Sequence, residues 1–407
     1  MTLKPTFLKT AIAGALALLA GTASAQYSDG VIKIGVINDM SGLYADIAGP
    51  GSVWAARKAV EDFGAAAKGM KVEILAADHQ NKPDVGSNIV RQWIDVDKVD
   101  AIADVPTSSV ALAVNQIVRE KNRVMLNSGA ATSDLTNKAC SPNTVHWTYD
   151  TVALANSTGK AAVKTGGDTW FFLTADYAFG HALERDVEAI VTSSGGKVVG
   201  KVRHPFPGQD FSSFLLQAQA SKAKVIGLAN AGGDTINAIK QASEFGVGKG
   251  GQSLAGLLVF VTDVHSLGLQ TAQGLLLTET FYWDLNDGTR AFSREFAAAH
   301  KGRMPTMVQA GVYGSVLHYL KAVEALKSDA DGVKVVEKMK EMPTDDRLFG
   351  KGTIRADGRK LHDVHLFEVK KPGESKGPWD YYKLRATTPG NEAFRQVAQS
   401  ECPLLKK

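Results

Sequence analysis

The chain has 407 residues, with 46 lysines and arginines against 42 aspartates and glutamates, a formal charge of +4, and 44% apolar and 22% charged content. This is ordinary globular composition, which excludes a disordered or low-complexity chain. The near balance of charge, with no basic run interleaved with aromatics, argues against a nucleic-acid partner.

The first element in chain order is a leader. Lys4 and Lys9 make a basic start, the run from Ala11 to Ala20 carries no charge, and Ala23 and Ala25 give the small-x-small pattern of a signal-peptidase site. An apolar core of about ten residues is too short to cross a bilayer, which takes roughly 20. A buried N-terminal helix is the alternative, but export fits the pattern better. The mature protein is expected to start at Gln26, to lie in the periplasm, and to carry a charge of +2, the +4 less Lys4 and Lys9. What remains is larger than one hydrophobic core of about 250–300 residues, so two domains are expected.

Val31–Ile37 reads as a buried strand and Asn38–Gly42 as its loop. A helix follows from Val53 to Phe63, where Val53, Ala56, Val60 and Phe63 recur at helical spacing. Strands at 72–76, 101–103 and 124–126 then alternate with helices at 85–96 and 110–118. Such alternation predicts an α/β fold, a parallel sheet covered by helices on both faces. After Tyr149-Asp150 the pattern restarts. Helices are expected at 152–164, 179–192, 211–220 and 235–245, and strands at 169–173, 197–202, 224–228, 257–260 and 274–277. The chain turns helical from Thr289 to Leu326 and again at 333–339. It closes with a hairpin of 352–359 and 362–369 about an Asp-Gly turn. No low-complexity linker separates the halves, so a cleft between two adjoining units is expected.

Cys140 and Cys402 are the only cysteines. An even count in an exported chain favours one disulfide, with two free thiols as the alternative. Enzyme signatures are mostly absent. There is no phosphate loop or nucleophile elbow, and Gly49-Pro50-Gly51 lies too far past the first strand to be a dinucleotide fingerprint. His362 and His365 are three apart in an expected strand, so they leave opposite faces, and neither a metal nor another cofactor is expected.

Short loops at strand ends remain as candidates. Pro106-Thr107-Ser108-Ser109 opens a helix, and Ser128-Gly129-Ala130-Ala131-Thr132-Ser133 follows the strand at Met125. Small residues admit a ligand close to the backbone, and helix-start amides with hydroxyls can hold a carboxylate. Simple helix capping is the bland explanation for either loop. Two such loops on neighbouring strand ends point to a binding site. In the second unit Asp176–Phe179, Ala229–Asp234, Thr262-Asp263 and Phe281–Asp284 are the opposing candidates. There Tyr177, Phe179, Tyr282 and Trp283 offer flat contact area, Asn230 a polar contact, and Asp263 a partner for an amine or hydroxyl. Packing and helix capping are the competing explanations for each of these residues.

Ile-Gly-Val-Ile-Asn-Asp-Met-Ser-Gly (34–42), Ser-Gly-Ala-Ala-Thr (128–132) and Ala-Asp-Tyr-Ala-Phe-Gly (175–180) together resemble the leucine/isoleucine/valine-binding protein family, the solute receptors of branched-chain-amino-acid-type ABC importers. The resemblance implies two Rossmann-like doubly wound domains joined by a three-segment hinge, the type I periplasmic binding protein fold. After the leader at 1–25, it implies a first lobe of 26–149 plus 285–345 and a second of 150–284 plus 346–386, which leaves a tail at 387–407. By position, Thr107 and Ser108 match the family's carboxylate loop, Ala130 and Thr132 its second contact beside Ser128, Phe179 its stacking aromatic, and Asp263 its amine-binding acid. The acid is displaced and is Asp rather than Glu, the Asn230 loop lacks the family's tyrosines, and Ile47 replaces an aromatic.

The expected protein is a monomeric solute-binding component of an ABC importer. It takes a small-molecule ligand, an amino acid, amide or aromatic acid with a carboxylate, to an inner-membrane ABC permease without transforming it. A sensing domain acting on a receptor and an exported α/β enzyme are the rival readings.

Overall fold

The computed structural model describes residues 27–247 and 250–405; the leader expected at 1–25 lies outside the described residues. The first unit is built on β1 (Ile32–Asn38), α1 (Gly49–Phe63), β2 (Val72–Asp78), α2 (Pro83–Asp95), β3 (Ala101–Asp104), α3 (Ser108–Glu120), β4 (Val124–Asn127) and β5 (Thr144–His146). Its strands form one parallel sheet in the order β2-β1-β3-β4-β5. β1 is an interior strand buried along nearly its whole length, so apart from Lys33 and Asn38 its sequence is apolar without alternation, as covered parallel strands require. Gly35 is needed there because a Cβ would stand 2.4 Å from the Trp93 ring of α2.

The second unit begins with α4 (Thr151–Leu154), a π turn at 155–159, and α5 (Lys160–Lys164). It continues through β6 (Thr169–Ala175), α6 (Ala178–Ser193), β7 (Lys197–His204), α7 (Ser212–Ala220), β8 (Val225–Ala229), α8 (Gly233–Glu244), β9 (Ser253–Gly256), α9 (Val261–Leu267) and α10 (Leu269–Ala272). These strands make a parallel sheet in the order β7-β6-β8-β9. Both sheets are doubly wound, which gives each a switch point where loops from neighbouring strands diverge: β1/β3 in one, β6/β8 in the other.

β10 (Leu276–Glu279) leads back through α11 (Asp287–Ala299), α12 (Met307–Leu326) and α13 (Gly332–Glu341). The continuous helical run expected from 289 to 326 is broken between Ala299 and Met307, where Gly302 takes a left-handed φ of 80° and Pro305 withholds an amide. Thr306 and Gln309 restart the chain as a capping box on α12, which packs on α1; Gly51 admits the Gln309 side chain at the crossing.

The last ladder joins β11 (Thr344–Asp346), β12 (Gly350–Ile354) and β13 (Lys360–Leu361), and a bridge from Arg359 to His146 docks it beside the first sheet. β14 (Val364–Val369) and β15 (Tyr382–Thr388) pair with β10 in a separate antiparallel sheet, and α14 (Gly390–Ala393) follows. The expected hairpin is therefore corrected: β12 turns back onto β13 around Asp357-Gly358, while 364–369 belongs to another sheet. The strand expected at 257–260 is also corrected. The strand is Ser253–Gly256, and Leu257–Phe260 is a buried loop that opens α9. Its apolar run serves burial rather than pairing.

Cys140 and Cys402 form a disulfide with Cα atoms 5.7 Å apart, tying the tail to the first unit. The crossing between units at 147–150 is clamped by the third segment. Arg359, wholly buried, donates to the carbonyls of Thr148 (2.9 Å) and Tyr149 (3.3 Å) and lies 3.5 Å from Asp150. His362 Nε2 reaches the Thr148 carbonyl at 2.8 Å. Such bonds, charge-assisted in the case of Arg359, satisfy carbonyls that no ladder covers.

Candidate functional site

The loops at the two switch points face one another across the seam and leave a small cavity of about 20 Å³ between them. Tyr44 and Ile47 line it from the loop after β1, Pro106 from β3, Gly129 and Ala131 from β4, and Tyr149 from the first crossing. Opposite stand Tyr177 and Phe179 after β6, Ala231 after β8, and Leu258 and Phe260 after β9. The volume is room for about one water, so a solute enters only when the lining side chains or the two units move apart. The lining is apolar and aromatic, with no acid, base or thiol among it.

Local chemistry fixes each wall. Asp39 accepts the amides of Gly42 (2.6 Å) and Tyr44 (2.9 Å) and the side chain of Asn81 (2.6 Å), which folds the loop that presents Tyr44. Asp104 and Val105 both hold left-handed backbone, φ 80° and 54°, immediately before Pro106. Non-glycine residues held there cost about 1–3 kcal/mol each and mark constrained functional turns. The Asp104 carboxylate accepts from Asn38 (2.8 Å) and Ser128 (3.2 Å), while burial pushes its pKa up to about 6. Gly129 packs so tightly over this turn that a Cβ would lie 2.6 Å from the Pro106 Cα.

The start of α3 is uncapped. Thr107 stands at the N-cap position, but its hydroxyl donates to Asn81 instead, and no side chain caps the helix. Ser108 Oγ accepts the Thr132 amide at 3.2 Å and so joins this turn to the loop after β4. Uncapped amides at a helix start attract negative charge. Across the seam the Tyr44 and Tyr177 hydroxyls meet at 2.5 Å, and Tyr177 stacks on Phe206 at 3.9 Å. Burial drives both phenol pKa values upward, so both hydroxyls stay protonated. Gly233 donates to the Leu43 carbonyl at 3.4 Å, a second contact between the units.

Of the residues singled out in the sequence, Tyr177 and Phe179 line the cavity directly. Thr107, Ser108, Ser128, Ala130 and Thr132 lie in the loops that line it but sit beneath the surface, with Ala130 packed against the β4–α3 core and Thr132 accepting the Asp134 amide at 3.4 Å. Asp263 is spent on the Phe260 amide (2.9 Å), and burial raises its pKa to about 7. Asn230 is turned inward, bonded to Thr235 (2.7 Å) and His204 (3.2 Å). Tyr282 and Trp283 lie away from the cavity. Both donate to the Trp379 carbonyl at 2.8 Å, because the antiparallel sheet brings Trp379 and Tyr382 against them.

The sequence reading did not single out Tyr44, Tyr149, Leu258 or Phe260 as site residues. Tyr44 carried a usable signal, an aromatic in the loop after a central strand. Phe260 was obscured by its apolar neighbours, which read as a strand. No three His, Cys, Asp or Glu side chains among the described residues are grouped to hold a metal.

Comparisons agree with this architecture. The model of a family described as periplasmic binding protein matches residues 31–377. A crystal structure of a periplasmic binding protein from Burkholderia mallei is 52% identical, with a TM-score of 0.90 over 93% of this chain and all of that one. A branched-chain amino acid ABC transporter periplasmic ligand-binding protein from Burkholderia xenovorans LB400 is 41% identical, with a TM-score of 0.81 over 92% of this chain and all of that one. A Leu/Ile/Val-binding protein homolog from Brucella melitensis is 27% identical over 368 residues, 88% of this chain and 92% of its own.

Proposed function

The chain belongs to the periplasmic binding protein family, and from that premise we propose that it captures a small carboxylate with a flat apolar body between its lobes and carries it to an ABC permease. It is an extracytoplasmic solute-binding protein. The observation that carries the ligand class is the unlike chemistry of the two walls. On one side stand the Gly129 and Ala131 backbone beside Tyr44 and Tyr149, with the uncapped start of α3 beneath the surface; on the other stand Tyr177, Phe179 and Phe260. Ser108 Oγ accepts the Thr132 amide, which ties the α3 start to that backbone. A ligand that touches both walls stabilises the closed form, because only there are both sets of contacts made. A micromolar affinity, about −8 kcal/mol, suits a few hydrogen bonds and stacked rings.

A second reading, a branched-chain amino acid, has one observation in its favour. Glu279 is buried near Tyr149 and Asp263 with Oε2 unpartnered; burial raises its pKa well above the usual carboxylate value, and an ammonium brought beside it would draw it back to the anion. The lining as it stands offers an ammonium no acid. Calorimetric titration with benzoate and with leucine separates the two. Benzoate binding alone supports the first reading and leucine alone the second; turnover of either compound would revive the enzyme.

We further propose residues 1–25 as a cleaved leader and a monomeric working form. We draw the lobes as 26–149 plus 285–361 and 150–284 plus 362–386. This moves 346–361 to the first lobe, since the Arg359–His146 bridge docks that ladder there.

A further inference from the structure

The loop that follows β4 is held from outside the cavity by a buried polar cluster. Ser133 Oγ donates to Asp186 Oδ2 at 2.6 Å, and Thr151 Oγ1 donates to the same oxygen at 2.5 Å. Arg185 Nε reaches Asp186 Oδ1 at 3.0 Å, and a second guanidinium, that of Arg395, reaches it at 3.4 Å and Ser133 Oγ at 3.2 Å. Thr151 also donates its amide to the carbonyl of Ala131, a cavity-lining residue, at 2.9 Å. One carboxylate thus gathers the β4 loop, the first crossing, α6 and the C-terminal tail.

Arg395 arrives there from the far end of the chain because the tail is pinned on both sides of it. Before it, Phe394 is buried with Ala153, Val364 and Ala393, and its ring lies 4.5 Å from the Arg359 guanidinium. Arg355 grips the Arg395 carbonyl at 2.7 Å. Beyond it, the Glu401 amide donates to Asn137 Oδ1 at 2.6 Å, and Cys402 is bonded to Cys140.

We propose that Asp186 and Arg395 are positioning residues for the ligand loop, and that the disulfide-anchored tail is part of the binding machinery although it touches no ligand. The proposal rests on the β4 loop being the carboxylate wall. Without Arg395, Asp186 keeps only Arg185, which it shares with Asp134 (itself also paired with Lys138), and Ser133 loses a donor, so the loop should sample other conformations.

Hydrogen–deuterium exchange on the mature full chain tests this without any ligand. Arg395→Ala, and separately Cys140→Ser with Cys402→Ser, should speed exchange across 129–134 by about tenfold, with Arg395→Lys restoring most of the protection. Benzoate titration is the second readout. Its affinity should fall by a similar factor, and the thermal shift it induces should shrink in Arg395→Ala, whereas a merely structural role would lower the ligand-free melting temperature and leave that shift intact. Arg385→Ala, in an exposed pair with Glu368, is the control expected to change neither readout. Unchanged exchange at 129–134 in both variants, with exchange raised only in 394–402, overturns the proposal. Should benzoate fail to bind the unaltered protein, the ligand reading is at fault, and exchange alone decides this one.

Discussion

The two walls of the cavity solve one problem by opposite means. The first-lobe wall sets Tyr44, Ile47 and Tyr149 around small-residue backbone held in strained turns, with Asp104 and Val105 at positive φ and Gly129 pressed on Pro106. The second-lobe wall is side-chain surface, with Tyr177, Phe179 and Phe260 set on the openings of two ordinary helices. Backbone donors cannot be exchanged by substitution, whereas rings can. The first wall therefore suits the feature shared by all cargo, and the second suits what distinguishes one cargo from another. The lesson is an asymmetry of tolerance: alteration of the first wall should abolish binding, and alteration of the second should change preference.

The largest expected effect breaks the first wall. Gly129→Ala places a methyl group against the Pro106 backbone, an overlap that costs about 2–3 kcal/mol, near a hundredfold in affinity. Calorimetry with benzoate checks it, and retained affinity would show that the β4 loop moves freely. Next comes Phe179→Ala on the second wall. Loss of one ring should weaken an aromatic acid by about 1–2 kcal/mol and an aliphatic acid by less. Equal losses for the two ligands would remove the distinction between the walls.

A pH effect sharpens the comparison, because a different buried carboxylate supports each wall, Asp104 the first and Asp263 the second. Asp104 has its pKa raised to about 6 from an ordinary value near 4, so between those values the folded chain binds more protons than the unfolded one. Its contribution to stability is therefore intact below pH 4 and is lost as pH rises through 6, by up to about 2–3 kcal/mol. Asp104→Asn should flatten that part of the profile in urea melts at stepped pH. A parallel decline in both proteins would remove Asp104 as its source. The smallest effect joins the walls. Tyr44→Phe deletes the phenol pair across the seam and should cost about 0.5–1.5 kcal/mol of closure. Interlobe distance measured by fluorescence transfer should show a larger open fraction in the ligand-free protein.

Much of the fold was legible in the sequence because covered parallel strands and amphipathic helices write their burial into periodicity. Ile32–Asn38 is apolar on both faces, and α2 and α3 carry clear stripes. The loops that line the cavity were legible too, since residues 106–109 and 128–133 follow strands and are small. The errors have a common cause. Leu257–Phe260 is apolar for burial without pairing, and the strand at 364–369 finds its partners in β10 and β15 rather than in its sequence neighbour. Tyr282 and Trp283 were read as ligand contacts because an aromatic run at a strand end has the same composition whether it faces a cavity or the Trp379 carbonyl.

By itself the sequence determined most of the strands and helices, the doubling of the α/β unit and the loops that could hold an anion, because each depends on residues close together in the chain. Only the tertiary structure decided which side chains meet. It spent the Thr107 hydroxyl on Asn81 and the Asp263 carboxylate on a backbone amide, set Tyr44 against Tyr177 across 133 positions, and brought Arg395 to a loop some 260 residues away. Such pairings follow from the stacking of distant layers, and their register is fixed by total packing rather than by any local pattern.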